Sequence, residues 1–401
     1  MNHRRRKPGS RWLLIIWFLF LHTSCGVFGN DSKPGKGAHC KDTLVYEGKP
    51  LYAFSPPLPP RDFQPGGTFD AANSARMDSA FTEAMRLTHA KIMSAAVFTT
   101  HGKWAATRAA DGSPRNTRLY WASVGKLMTA TVILQLVEEG KLALSDPISR
   151  WMPDFPNASV ITIDHLLRHT SGVFSSNEDE SVRKAHRYFS PDEDIAVSAE
   201  HGALFCPGQW WRYSNTGYVM LGKIIESIDG RPYHEAVNAR LFSSLSLTTL
   251  QALAPREEPV DMAPLAPSDT GEKPMGASWG YAAACVVGSA EEMALFLHAL
   301  LTGKLLPLPR VASMFDRLYP MFDEPTFYGR GIMLYQLPTD SGKSMVWIGH
   351  SGGSPGIKSI VLYSPKDSAF AAVALTGDGS AAASANLLIS QLLVESKDEM
   401  R

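Results

Sequence analysis

Neither sign of charge dominates this chain. Its 39 Lys and Arg balance 39 Asp and Glu, a formal net charge of zero over 401 residues, which argues against polyanion binding as its main task. No phosphate-cradling glycine loop and no basic stripe appears, so neither a nucleotide nor a nucleic acid is an expected partner. Cysteine is scarce, with 4 residues at positions 25, 40, 206 and 285. That is too few for a dense disulfide framework. Internal repeats are missing, which excludes solenoids and propellers. Long apolar runs are missing too. The longest unbroken one, Trp12 to Leu21, has ten residues, short for a membrane span. What remains is 44% hydrophobic and 19% charged, enough for a sizeable core in one large or two intertwined domains.

The short apolar run follows Arg4-Arg5-Arg6-Lys7 and Arg11, the layout of a secretory signal peptide. Residues 1–30 are therefore expected to direct export, to the periplasm or cell envelope. Cys25 sits where a bacterial lipoprotein carries its lipidated cysteine, while His22 stands where a lipobox has leucine. Lipid anchoring and ordinary cleavage both stay open, so membrane attachment through the N-terminus is one of the expected outcomes. Residues 31–70, with Pro56-Pro57 and Pro59-Pro60, read as a Pro/Gly-rich tether or an irregular wrapping segment.

Further on, Met77, Phe81, Ala84 and Met85 follow helical spacing, predicting an amphipathic helix over 75–89. Ile92 to Phe98 and Lys103 to Arg108 read as a strand pair. Near the other end, Met345 to Ile348, Ser359 to Tyr363 and Ala369 to Leu375 read as strands, followed by a closing helix around Leu387–Leu393. Ser289-Ala290-Glu291-Glu292 has the form of a capping box, and Gly303 stops the helix it opens. Residues 254–276, proline-rich and polar, connect lobes. Strands at both ends with helices between them predict an α/β (α+β) fold. Its antiparallel sheet is built from both chain ends (71–122 with 265–401), and a mainly helical lobe is inserted over 123–264.

Three short motifs carry chemistry. Ser123-Val124-Gly125-Lys126 opens an apolar run that reads as a buried helix stopped at Gly140. A hydroxyl and an amine three residues apart share a helix face, which places a base beside a nucleophile. Tyr213-Ser214-Asn215 and His350-Ser351-Gly352-Gly353 complete the set. Ser-x-x-Lys recurs at Ser181-Val182-Arg183-Lys184, but in a charged, polar setting that reads as a solvated segment.

The order Ser-x-x-Lys, Tyr-x-Asn, His-Ser-Gly resembles the class C β-lactamase and D-alanyl-D-alanine carboxypeptidase superfamily of penicillin-recognising serine hydrolases. Leu166-Leu167-Arg168-His169-Thr170-Ser171-Gly172 is similar to that family's LLxHTSG stretch, and Pro207-Gly208 precedes Tyr213 as the family's PG does. The resemblance covers about residues 75 to 378. It implies the β-lactamase/transpeptidase-like fold, with the active site between the lobes and no cofactor.

It also implies roles. Ser123 would attack an acyl carbonyl, Lys126 would take its proton, and Tyr213 would share the relay. Asn215 would hold the substrate amide and orient Lys126. His350, Ser351, Gly352 and Gly353 would line the substrate site, with the N–H groups of Ser123 and Gly353 as oxyanion donors. Most β-lactamases of this family have lysine where His350 stands. A neutral imidazole attracts a carboxylate less strongly, which tilts the reading from a dedicated β-lactamase toward a peptidase or esterase. The expected substrate is thus a D-amino-acid peptide or a carboxylic ester, a small molecule or peptide. A β-lactamase and a non-catalytic binding protein of the same fold are the alternatives. Cys206 and Cys285 would both lie near the cleft, so a bridge between them and two free buried thiols are both open.

Other patterns compete. Gly349-His350-Ser351-Gly352-Gly353 and Gly276-Ala277-Ser278-Trp279-Gly280 fit G-x-S-x-G. The first has no later histidine and the second has no preceding apolar strand. His165 and His169 have zinc-helix spacing without the required glutamate, which favours structural roles for both rings.

Overall fold

The computed structural model describes residues 39–322, 325–338 and 344–394. Residues 1–30 with Cys25, and the first part of the Pro/Gly-rich segment, lie outside them.

An eight-stranded sheet forms the body, in the order β2-β1-β11-β10-β9-β8-β7-β6. Its strands are β1 (Ile92–Phe98), β2 (Lys103–Ala109), β6 (Tyr319–Pro320), β7 (Thr326–Tyr328), β8 (Met333–Pro338), β9 (Ser344–Ser354), β10 (Ile357–Ser364) and β11 (Ala369–Thr376). Every pairing is antiparallel. The two chain ends meet one strand in from the β2 edge, where Met93 lies opposite Leu375 and Phe98 opposite Phe370. All eight residues of β11 are buried, so the strand shows no polar alternation, as a strand covered on both faces should not. The period of two survives in the packing. Phe370, Ala372 and Ala374 join the core that contains Phe296 and Leu297, while Ala371, Val373 and Leu375 join Met77, Phe81 and Leu388 on the other face. The helices Ala71–Thr88 and Ala381–Ser390 cover this second face. Burying Phe81 alone stabilises the fold by roughly 1.5–3 kcal/mol.

Two elements differ from expectation. β9 runs through Gly349, Gly352 and Gly353 to Ser354, and the missing Cβ of Gly349 and of Gly352 permits close backbone approach. A Cβ at Gly352 would lie 2.3 Å from Trp121 O and 3.0 Å from Ser123 N. The capping box at Ser289 is only half formed. Ser289 Oγ accepts from Glu292 N, but the Glu292 carboxylate accepts instead from the backbone N–H groups of Thr248, Thr249 and Leu250. It thereby ties the helix Ala290–Leu301 to the backbone of residues 248–250.

A second sheet, β3 (Leu119–Tyr120), β5 (Val286–Gly288) and β4 (Gln251–Ala252), in that order, straddles the expected lobe boundary. The chain between β3 and β4 holds the buried helices Gly125–Glu138 and Asn215–Asp229.

Residues 39–69 contain no helix and wrap the body. Cys40 forms a disulfide with Cys206, Tyr52 N donates to Leu318 O, and Phe63 is buried against Phe98 and Phe370. The Cys206–Cys285 bridge held open above is therefore not formed: Cys285 is a free, buried thiol. Leu44 N donates to Pro207 O and Glu47 N to Gln209 O, each at 2.8 Å, so the wrapping segment lies along the run that leads to Tyr213.

Candidate active site

Ser123 sits on a short 3-10 turn, Ala122–Val124, immediately before the helix Gly125–Glu138. The turn is anchored on two sides. Trp121 donates from its backbone N to Val286 O and from its indole to Gly288 O, while Ser359 Oγ donates to Trp121 O at 2.7 Å. Ala122 is held at φ +47°, in a region that costs a non-glycine residue on the order of 1–3 kcal/mol. The anchors fix this strain at the residue before Ser123.

One helical turn on, Lys126 has no exposed surface. Its Nζ lies 3.1 Å from Ser123 Oγ, 2.7 Å from Asn215 Oδ1 and 3.0 Å from Ala283 O. Asn215 Oδ1 and Ala283 O can only accept. A neutral amine has two N–H groups and one lone pair, so these acceptors use both N–H groups and leave the lone pair for the Ser123 hydroxyl. Burial pushes the Lys126 pKa well below its usual value. Nζ also lies 4.8 Å from the centroid of the Tyr213 ring, a contact that favours the ammonium, but desolvation is the stronger influence.

Tyr213 reaches Ser123 with its hydroxyl, and burial, the largest influence, pushes the phenol pKa upward. The group is therefore a neutral phenol near pH 7. Its ring packs on His169, centroid to centroid 4.1 Å. His169 Nδ1 accepts from Ser214 N, and His165 Nδ1 accepts from Thr162 N at the start of the short helix Ile163–Leu167. Both rings thus order backbone, His169 just before Asn215 and His165 at the start of its own helix.

The other predicted residues separate by access. Ser123, Tyr213, Asn215, Ser351 and Gly352 are half-buried and Gly353 is exposed, so all six reach solvent. His350 is fully buried. Its Nδ1 donates to Ser351 O, leaving Nε2 to accept from Tyr328 Oη at 3.1 Å. Burial, reinforced by the nearby Lys126, lowers the imidazole pKa to about 3. The expected substrate contact through this ring is therefore corrected: a neutral, enclosed His350 braces β9 from behind. Ser181 and Lys184 lie away from this cluster on the helix Glu180–Ala185, which buries no residue, and pair locally with Asp179 and Glu180.

Sequence reasoning missed three contributors. Ala283 gives only a carbonyl, which no side-chain pattern reveals. Tyr328 comes from a strand that was not anticipated. Asn177 accepts from Asn215 Nδ2 at 2.9 Å, from a polar loop with no distinguishing signal. Among the described residues no group of His, Cys, Asp and Glu is arranged to hold a metal ion.

The site thus brings a serine hydroxyl, a buried amine and a phenol together, and comparison with known proteins assigns the chain to a family. The Beta-lactamase family profile matches residues 77–394, so the chain belongs to the β-lactamase family. It is 37% identical over 129 residues to a penicillin-binding protein of Bacillus subtilis, covering 30% of this chain and 27% of that one. It is 33% identical over 205 residues to esterase EstB of Burkholderia gladioli, covering 45% and 52%. The chain thus spans between about a quarter and about a half of these curated relatives. A crystal structure of a D-stereospecific amidohydrolase from Streptomyces aligns with TM-score 0.66 and 27% identity, over 80% of this chain and 98% of that one.

Proposed function

We propose that the protein is a serine hydrolase that works through an acyl-serine intermediate on a D-amino-acid peptide or amide, or on a carboxylic ester. The observation that carries this reading is the placement of Lys126 Nζ, held by Asn215 Oδ1 and Ala283 O at 3.1 Å from Ser123 Oγ, where the neutral amine can turn its lone pair to the hydroxyl. Ser123 Oγ attacks the acyl carbonyl as its proton passes to Lys126 Nζ. The N–H groups of Ser123 and Gly353 stabilise the oxyanion. The Lys126 ammonium returns the proton through the Tyr213 hydroxyl to the departing amine or alkoxide. Water then cleaves the ester by the reverse traffic. A high phenol pKa suits Tyr213 to donation and makes Lys126 the base.

The amidohydrolase and esterase relatives support the substrate classes. A buried, neutral His350 offers no fixed positive charge to a carboxylate-bearing β-lactam, which favours this reading over a dedicated β-lactamase. The Cys40–Cys206 disulfide supports the further proposal that the chain works in an oxidising, exported compartment, the periplasm or cell envelope.

The test is intact-mass measurement after brief exposure to a fluorophosphonate and, separately, to a labelled penicillin. Ser123→Ala should take no label, Lys126→Ala should label far more slowly, and Ser181→Ala should behave as wild type. Full labelling of Ser123→Ala would overturn the assignment.

A further inference from the structure

Asn215 presents its Oδ1 to Lys126, although an amide could equally present its NH2 end. The partner that decides is on the loop following Gly172. Asn177 Oδ1 accepts from Asn215 Nδ2 at 2.9 Å and from Ser175 Oγ at 2.7 Å, while Ser175 Oγ accepts from Asn215 N at 2.9 Å. These three bonds form a closed ring that joins the Asn215 backbone and side chain to Ser175 and Asn177. The loop is itself fastened to the same lobe. Ser176 N donates to Thr216 Oγ1, Ser176 Oγ donates to Asp194, and Glu178 pairs with Arg212.

We propose that Asn177 is a positioning residue for the acylation described above: by holding Asn215 Nδ2 it keeps Asn215 Oδ1, and not an N–H, facing Lys126. With the amide reversed, an N–H would point at Nζ and occupy the lone pair that must accept the Ser123 proton. Asn177 touches neither Nζ nor Ser123 in this scheme; it acts through the orientation of Asn215. The inference rests on the proposed roles of Ser123 and Lys126.

Two substitutions separate positioning from general support of the loop. Asn177→Ala frees the amide and should slow fluorophosphonate labelling roughly tenfold at every pH, the scale of one hydrogen bond. Asn177→Asp keeps both accepted bonds and adds a negative charge behind Asn215, which holds Lys126 protonated to higher pH. Its rate–pH curve should move upward, with a plateau within about threefold of wild type. Tyr213, His169 and His350 around Nζ, and Glu178, Asp194 and Arg212 behind the loop, are common to all variants, so the displacement reports the new carboxylate. Wild-type labelling of Asn177→Ala would overturn the inference. So would an Asn177→Asp plateau as low as that of Asn177→Ala. Should Asn177→Ala melt early, the Asp variant decides alone, since it retains the bonded ring. Labelling of Ser123→Ala would instead overturn the nucleophile assignment, so the two failures are distinguishable.

Discussion

Cys40→Ser should cost this protein a measurable part of its stability. The bond to Cys206 closes a loop with a sequence separation of 166 residues. Chain entropy for such a loop amounts to about 17 cal/mol/K, or about 5 kcal/mol at 25 °C. At about 2.1 cal/mol/K of unfolding entropy per residue, a body of this size changes by about 0.7 kcal/mol per degree. The melting midpoint should therefore fall by about 7 °C, or by less where the wrapping segment detaches before the body unfolds. The assay is a thermal melt of wild type with and without a dithiol, beside Cys40→Ser, Cys206→Ser and the double variant. All reduced or substituted forms should melt together, because each removes the same link. Cys285→Ser should keep the full response to reductant. Coincident midpoints for oxidised and reduced wild type would refute the reasoning, and so would two single substitutions whose losses add.

Two further perturbations test buried ionisable groups. Asp194 accepts from Ser176 Oγ, and burial pushes its pKa from 3.8 up to about 6. The folded state thus favours the protonated carboxyl: the stability it contributes is complete below pH 3.8 and lost as pH rises through about 6. Asp194→Asn should raise stability at pH 8 by about 1–3 kcal/mol and leave it unchanged near pH 4, read from urea midpoints; an equal gain at both pH values would contradict the linkage. His350→Lys would place an ammonium in a closed site beside Tyr328 and Lys126. It should destabilise the fold by on the order of 3 kcal/mol without improving acylation by carboxylate-bearing β-lactams, and faster penicillin labelling would show that the group reaches substrate.

Much of the architecture was legible because its determinants are local. Met77, Phe81 and Ala84 repeat at helical spacing, and β1, β10 and β11 are apolar runs bounded by turns. The reactive residues were legible for a different reason: Ser123 and Lys126 must lie one turn apart, and few side chains can do their work. Legibility ended where a role depends on distant partners. Nothing near Cys206 indicates that Cys40 is its mate. Nothing near Glu292 shows that three N–H groups at 248–250 compete for its carboxylate more effectively than its own helix end. His350 was misjudged because sequence carries its chemistry but not its burial. The strand expected over Met345 to Ile348 runs on to Ser354, and the missing side chain of Gly352 lets it pass against the Ser123 turn.

The pairing of β1 with β11 bears on synthesis. Ile92 N donates to Thr376 Oγ1 across 284 residues of sequence, and β1 has β11 as its inner neighbour. At ribosomal rates of about 5–20 residues per second, β1 waits tens of seconds with its inner edge bare, while the intervening helices can already form. A bare, apolar strand edge is a template for mispairing, and contacts this distant in sequence form slowly. Completion of the fold is therefore gated by arrival of its last strands, and β1 needs its open edge shielded until then.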